Sequence, residues 1–322
     1  MSCTIIRPQD RYEWLKLRGY GIGSSEVGTI LGLNPFETPY QLWRRKKGMD
    51  APKEENFAMR AGHYLEDAVS RFYSDATGRK IIKRSAGDWL IVDNDKQYLR
   101  VSPDRIFWID PEGKHNAANK GICECKTTQL DVDEDDLPKH WFCQLQYQLG
   151  VSEMSYGALA WLTQGRKFGY KDIEFDKDFY EWMVAEVTDF WNTYIIGDKE
   201  PLAETVSDVL LKSPRHIAGK VVKGGSEVLA VYNKLKAVNE QYATLKEQKD
   251  ELEGEMKMAI GDAEAIVTDD PFSEDGEMTL ATWKAPKPSI KFDDKKFKED
   301  HEELYDAYCH EVQGARRFLL KQ

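Results

Sequence analysis

Residues 102–126 constrain this chain more than any other stretch. They read Ser-Pro-Asp-Arg-Ile-Phe-Trp-Ile over 102–109, a polar turn with Gly and Asn over 110–120, then Gly-Ile-Cys-Glu-Cys-Lys over 121–126. β-Branched and aromatic residues around single polar ones, on both sides of a turn, predict a β-hairpin. Side chains alternate along a strand, so Glu124 and Lys126 share one face while Cys123 and Cys125 share the other. With Asp104 at the start of the neighbouring strand, two carboxylates and an ammonium converge at one end of a sheet. Two hard oxygen donors with a lysine beside them suit magnesium-assisted attack of water on a phosphodiester. The plain alternative is a surface hairpin whose Glu124–Lys126 pair contributes less than about 1 kcal/mol. Pro103-Asp104 on one strand and Glu-x-Lys on the next favour a site.

Around this hairpin the pattern alternates between helices and strands. Residues 8–19 read as a short helix stopped by Gly19, and Gly21-Ile-Gly-Ser-Ser-Glu-Val-Gly28 leads into another, with Ser24 or Ser25 placed to cap it. Small residues opening a helix leave N–H groups that suit a phosphate. Residues 38–48 give a third helix ending at Gly48. Residues 57–77 give a fourth, with Leu65, Ala68, Val69 and Phe72 at helical spacing and Glu66 bordering that stripe. Strands are expected at 79–84, 89–93 and 98–101. A helix over 138–150 opens on Pro138 and ends at Gly150. It carries Gln144 and Tyr147 three apart, with Gln148 four from Gln144. Strands at 155–163 and 168–175 and an aromatic-rich helix at 177–195 close the domain.

Length and charge narrow the classes. With 322 residues, 41% of them hydrophobic and nine Trp, the chain can bury a sizeable core and still carry an appendage. No apolar run is long enough to cross a bilayer, and the N-terminus lacks a signal peptide's apolar core. Five cysteines with no zinc-type spacing suit reduced thiols in a cytosol. The net charge of −11 excludes an all-over basic surface but not local phosphate contacts, which depend on the nearby field. Arg44-Arg45-Lys46-Lys47 is the densest basic run, and residues 131–136 form an acidic loop.

Beyond about residue 204 the character changes. Val228, Leu235, Tyr242, Lys249 and Met256 recur every seven residues, as do Val231, Val238, Leu245, Leu252 and Ala259. This coiled-coil pattern predicts a helix roughly 50 Å long that needs a partner. The partner is another chain or, preferred here, a helix at 294–310 folding back. A strand at 276–283 is expected to pair with one at 315–320. The domains expected are thus 1–204 and a helical extension with a small β element over 205–322.

Pro103-Asp104 with Glu124-Cys125-Lys126 resembles the PD-(D/E)xK nuclease signature, and more closely the YqaJ-type viral recombinases and phage lambda exonuclease. Trp14-Leu-Lys-Leu-Arg18 with Ile22-Gly-Ser-Ser25, Gly62-x₃-Glu66, Ser102-Pro-Asp104, Glu124-x-Lys126 and Gln144-Leu-Gln146-Tyr147 match that family's motifs in order, over about residues 10–200. One departure is Arg105, where the family often has Gly. The resemblance implies an α+β fold with an α/β/α restriction-endonuclease-like core. It implies Asp104, Glu124 and Glu66 as ligands of one or two Mg²⁺ (or Mn²⁺), with Lys126 and Gln144 completing the catalytic set. Arg18, Ser25, Gln146 and Tyr147 would contact the 5′-phosphate and DNA. It further implies a 5′→3′ exonuclease on double-stranded DNA ends, leaving 3′ overhangs. Such a protein would work as a trimeric or tetrameric ring with a single-strand annealing protein, in a host cytosol. The other readings are a related endonuclease or nickase, and a non-catalytic end-binding scaffold. The iron–sulfur cluster of some superfamily members is not expected, because two of the five cysteines flank Glu124 and face away.

Overall fold

The computed structural model describes residues 3–51, 56–82, 89–270, 272, 276–310, 314 and 316–321, and the expected hairpin lies inside its larger sheet. The chain begins with β1 (Cys3–Ile6), α1 (Arg11–Gly19), β2 (Ile22–Gly23), α2 (Ser24–Ile30), α3 (Pro39–Lys46) and α4 (Phe57–Thr77). Then come β3 (Ile81–Ile82), β4 (Leu90–Asp93), β5 (Leu99–Val101), β6 (Arg105–Trp108) and β7 (Lys120–Thr128). α5 (Lys139–Val151), β8 (Tyr156–Thr163), β9 (Lys167–Glu174), α6 (Lys177–Phe190) and α7 (Val206–Lys212) complete the first compact unit, Met1–Lys212. The second unit, Ser213–Gln322, holds α8 (Ser226–Ile260), β10 (Ala265–Asp269), β11 (Glu277–Thr282), α9 (Asp294–Asp300) and α10 (Glu302–Tyr308).

The larger sheet has the order β3-β6-β7-β8-β9, with β7 and β8 parallel and the other pairs antiparallel. A parallel pair needs a crossover, and α5 supplies it. One face of the sheet packs on α4 through Val69, Tyr73, Phe107, Cys123 and Ala158. The other packs on α5 through Ile122, Leu145, Leu149 and Leu159. The fold is therefore α+β, a mixed sheet between helix layers. Strand alternation does the sorting: Ile122 faces α5, Cys123 and Cys125 face α4, and Glu124 returns to the α5 side. A second sheet, β1-β4-β5-β2, joins α2, α3, α5 and α6 around Ile22, Tyr40, Leu99 and Met183.

Local chemistry sets the element ends. Asn56 caps α4 by accepting from the Met59 N–H at 2.9 Å, and Gly78 ends that helix at φ 71°, where a side chain would be strained. α2 and α5 cross closely because residue 28 is glycine. A Cβ built there would lie 2.8 Å from His140 Cβ.

Several expectations shift. The cap of α2 is Gly23 rather than Ser24 or Ser25, which lie in its first turn. The Glu26 carboxylate accepts the Gly23 N–H at 2.7 Å and does the capping. The strand expected at 79–84 is formed at Ile81–Ile82, and residues 83–84 lie outside the described ones. The helix expected at 177–195 stays α-helical to Phe190 and continues as a π-helical stretch, Trp191–Ile196. The basic run on α3 and its end is engaged internally: Arg44 with Asp50, Arg45 with Glu37 and Glu26, Lys46 with Glu26, and Lys47 with Asp198.

The first unit ends after α7 rather than near 204. Asp208 is buried and accepts from Thr38 Oγ1 at 2.8 Å, from Gln41 Nε2 at 2.9 Å and from the Glu204 and Thr205 N–H groups at 3.1 Å each. A chain ending at Lys212 should melt like the intact first unit. One ending at 204 strands Thr38 and Gln41 and should melt lower, by about 2–4 °C per kcal/mol lost. Equal melting temperatures for the two truncations would overturn this role for α7.

In the second unit α8 is a single helix of 35 residues, as the heptads predict. β11 pairs antiparallel with β10, not with the chain's last residues; Arg316–Leu320 form no strand, and residue 315 lies outside the described ones. The helix expected at 294–310 is two seven-residue pieces broken at His301. These pieces leave the α8 seam exposed, so the intramolecular hairpin does not form.

Candidate active site

Asp104 precedes β6 and is tied to β7 by its own carboxylate, which accepts the Cys125 N–H at 2.9 Å. Glu124 leaves β7 on the α5 side and is 2% exposed. A buried carboxylate requires donors. Lys126 Nζ donates to Glu124 Oε1 at 2.7 Å, Gln144 Nε2 donates to the same oxygen, and Gln148 Nε2 donates to Oε2 at 2.9 Å. Lys126 also donates to Gln144 Oε1 at 2.8 Å. Gln144 and Gln148 reach one carboxylate because they sit one turn apart on α5.

The electrostatics are those of a crowded acidic pocket. Burial first, then the charges of Glu124 and Glu66, push the Asp104 carboxyl well above the usual carboxylate range. Burial pulls the Lys126 ammonium down, but Glu124 and Asp104 outweigh it and hold its value above that of a free lysine. Lys126 is therefore a cation at neutral pH, a donor aimed at negative charge.

Asp104 lines a cavity of about 360 Å³ that also touches Glu66, His63, Arg11, Arg18 and Ser25. At one end Arg18 Nη2 donates to Ser25 Oγ at 2.5 Å. The Arg11 and Arg18 guanidiniums lie 4.1 Å and 5.0 Å from the Trp14 ring centre, which fixes two cations at the cavity wall. Asp104, Glu66 and Gln144 line the same cavity.

The structure brings together most of the residues singled out from sequence, with corrections at Tyr147 and Gln146. Glu66 lines the cavity but is drawn to Arg105, with Nη1 at 3.6 Å, the residue that departs from the family pattern. Among the described residues no three His, Cys, Asp or Glu side chains form a group that could hold a metal ion. Tyr147 is fully buried between helix layers and its hydroxyl donates to the Ile22 carbonyl at 3.2 Å, away from any DNA surface. Gln146 is equally buried, donating to the Glu174 carbonyl at 2.7 Å and accepting the Asp176 N–H at 2.9 Å. Both hold α5 to the β9–α6 connection or to β2.

Two contributors were missed. Gln148 holds Glu124 and also donates to the buried Ser24 hydroxyl at 3.2 Å. Its i+4 spacing from Gln144 was the available signal. His63, three residues before Glu66 on α4, lines the same cavity.

Beneath the Arg18–Ser25 wall lies a buried ionic cluster. Glu26 accepts from Arg45 Nη1 and pairs with Lys46 Nζ, each at 2.8 Å. Burial alone would raise the Glu26 carboxyl, but Lys46, Arg45 and Arg18 outweigh it and bring it down to about 2 from an ordinary 4.5. A folded-state value below the unfolded one means the stabilisation is complete above about pH 4.5 and is lost as pH falls toward 2. Burial pushes Lys46 down, which offsets part of the gain. Glu26→Gln should therefore flatten the acid limb of the melting-temperature profile in that window. A wild-type limb left unchanged by the substitution would sink this reading.

Residues 13–155 match the family model described as the YqaJ-like viral recombinase domain. The protein YqaJ of Bacillus subtilis (strain 168) is 28% identical over 326 residues, covering 97% of this chain and 94% of that protein. A protein of Acanthamoeba polyphaga mimivirus is 25% identical over 162 residues, 45% of this chain but only 27% of its own length. Among solved structures, the alkaline exonuclease LHK-Exo in complex with dAMP aligns at a TM-score of 0.44 and 17% identity, covering 58% of this chain and 93% of that one. A phage-related exonuclease of Haemophilus somnus 129PT aligns at 0.37 and 12% identity, covering 56% and 96%. The matched span contains Arg18, Ser25, Glu66, Asp104, Glu124, Lys126 and Gln144. Among the described residues no helix is long and apolar enough to cross a membrane.

Proposed function

We propose that this chain is a metal-dependent deoxyribonuclease that resects duplex DNA ends in the 5′→3′ direction and leaves 3′ single-stranded overhangs for recombination. The observation that carries this reading is the cluster of Asp104, Glu124 and Lys126, of which Asp104 lines the same cavity as Arg18 and Ser25. Asp104 and Gln144 thus share one polar cleft with the anion-binding pair, as end-directed cleavage requires.

The donors suit a hard divalent cation. Asp104 and Glu124 offer carboxylate oxygens, Glu66 lines the same cavity as Asp104, and the upward push on Asp104, from burial first and then from Glu124 and Glu66, is one that a cation there would oppose. Mg²⁺ or Mn²⁺ bound there, as one or two ions, would supply Lewis-acid activation of the scissile phosphate and of water. The chain's own residues do the rest. Lys126, held by Glu124 and Gln144, orients the attacking water and offsets the negative charge that develops on the phosphoryl oxygens. Gln144 and Gln148 fix the Glu124 carboxylate. Arg18 and Ser25 hold a terminal 5′-phosphate. By family likeness the protein would act as a ring-shaped homo-oligomer on threaded DNA, beside a single-strand annealing protein in a bacterial host's cytosol.

The test uses linear and covalently closed circular duplex, each with Mg²⁺ or with EDTA. Degradation of linear DNA alone, in Mg²⁺ alone, is the expected result. Opening of the circle would make the chain an endonuclease, and no cleavage of either would leave an end-binding scaffold.

A further inference from the structure

In the second unit α8 leaves its heptad seam uncovered. Val228, Val238, Tyr242, Leu245 and Leu252 are each between 56% and 68% exposed. Toward the helix C-terminus the seam deepens into an apolar groove of about 660 Å³, walled by Leu245, Leu252, Met256, Leu280 of β11 and Trp283 just after it. α9 and α10 have seven residues each and so span about 10 Å apiece, too short to cover a helix of about 50 Å.

We propose that a second copy of this chain covers the seam, with α8 against α8 in antiparallel register. The sequence of the helix selects this arrangement. When one copy is turned end for end, a single offset sets Val228 opposite the partner's Ala259 and Val231 opposite the partner's Met256. The same offset pairs Leu235 with the partner's Leu252, Val238 with the partner's Lys249, and Tyr242 with the partner's Leu245. Every residue of one heptad series thus meets one of the other, the pairing that antiparallel coiled coils use. An in-register parallel pair would instead place Lys249 against the partner's Lys249, two like charges in an apolar seam.

The flanks agree. In the antiparallel register Lys234 lies beside the partner's Glu255, and symmetry repeats that opposite-charge pair. Lys246 lies beside the partner's Asn239. The parallel register gives no opposite-charge flank pair, since it sets Glu227 by Tyr232, Lys234 by Asn239, Gln241 by Lys246, Gln248 by Glu253 and Glu255 by Ile260. Lys249 is already turned along its own helix to Glu253, on the flank, which leaves its stem to pack against the partner's Val238. The groove at Leu245–Met256 then receives the partner's Val231 and Leu235.

The test is a cross-link in the full chain. On a Cys309→Ser background, which removes the exposed cysteine, Val231→Cys and Met256→Cys chains are prepared separately and then mixed with a short thiol cross-linker. The two positions lie roughly 38 Å apart along one helix, so only antiparallel packing brings them together. Mixed dimers at least tenfold above the dimers formed by either variant alone are expected, and Val238→Glu with Leu245→Glu should abolish them. Cross-linking within each single variant would show parallel packing. Cross-linking in none, or cross-linking unaffected by the two glutamates, would show that the seam is not a self-interface. Either result overturns the proposal.

Discussion

Lys126→Ala is expected to lower cleavage of linear duplex about a hundredfold or more, roughly 3 kcal/mol of transition-state stabilisation, while end binding stays near wild type. The ammonium is bonded to Glu124 and Gln144, and its removal still leaves the Glu124 carboxylate with donors from Gln144 and Gln148. The pocket therefore keeps its shape and loses a charge. Asp104→Asn should abolish metal-dependent cleavage as well, with a second consequence that a structural role alone would not produce. The Asp104 carboxyl is held above its ordinary range by burial and by Glu124 and Glu66, so the folded, metal-free protein disfavours its charged form. Removing that charge should raise the melting temperature of the metal-free protein. It should also weaken the further rise that Mg²⁺ gives wild type. Retention of more than roughly a tenth of the wild-type rate in either variant, a loss under about 1.4 kcal/mol, would reject the assignment.

What could be read from sequence divides along a physical line. The hairpin and the convergence of Asp104, Glu124 and Lys126 were legible because a strand's period of two fixes which side chains share a face. α4 was legible to its last residue because Asn56 and Gly78 punctuate it. α5 was harder, since it is buried between the sheet and two helices and shows no polar face to mark the site. Gln146 and Tyr147 look like Gln144 and Gln148 in such a helix, and only packing separates the pair that reaches Glu124 from the pair that does not. The Arg44–Lys47 run is the densest basic stretch of the sequence, yet its partners Glu26, Glu37, Asp50 and Asp198 come from other segments. The heptads of α8 announced a seam; what covers a seam is a tertiary or quaternary fact that periodicity does not carry.

The Arg18 wall gives the second large effect, and it separates end recognition from catalysis. Wild type should digest 5′-phosphorylated duplex about tenfold or more faster than 5′-hydroxyl duplex, since charge-assisted hydrogen bonds to an ionised group contribute about 1.5–3 kcal/mol. In Arg18→Ala the two substrates should be digested at rates within about twofold of each other, both near the wild-type rate on the hydroxyl end. Arg18→Lys should restore only part of the preference. A lysine supplies a point charge but not the planar fork that donates to Ser25 and can grip two phosphate oxygens at once. The distribution of the loss matters more than its size. The cation at this end of the cavity touches Ser25 and the Trp14 ring, and none of its hydrogen bonds runs to Glu124 or Lys126. Its removal should thus leave metal-dependent cleavage of the hydroxyl substrate intact. If Arg18→Ala still prefers the phosphorylated end as strongly as wild type does, the terminal phosphate is held elsewhere and the polarity argued from this pocket falls with it.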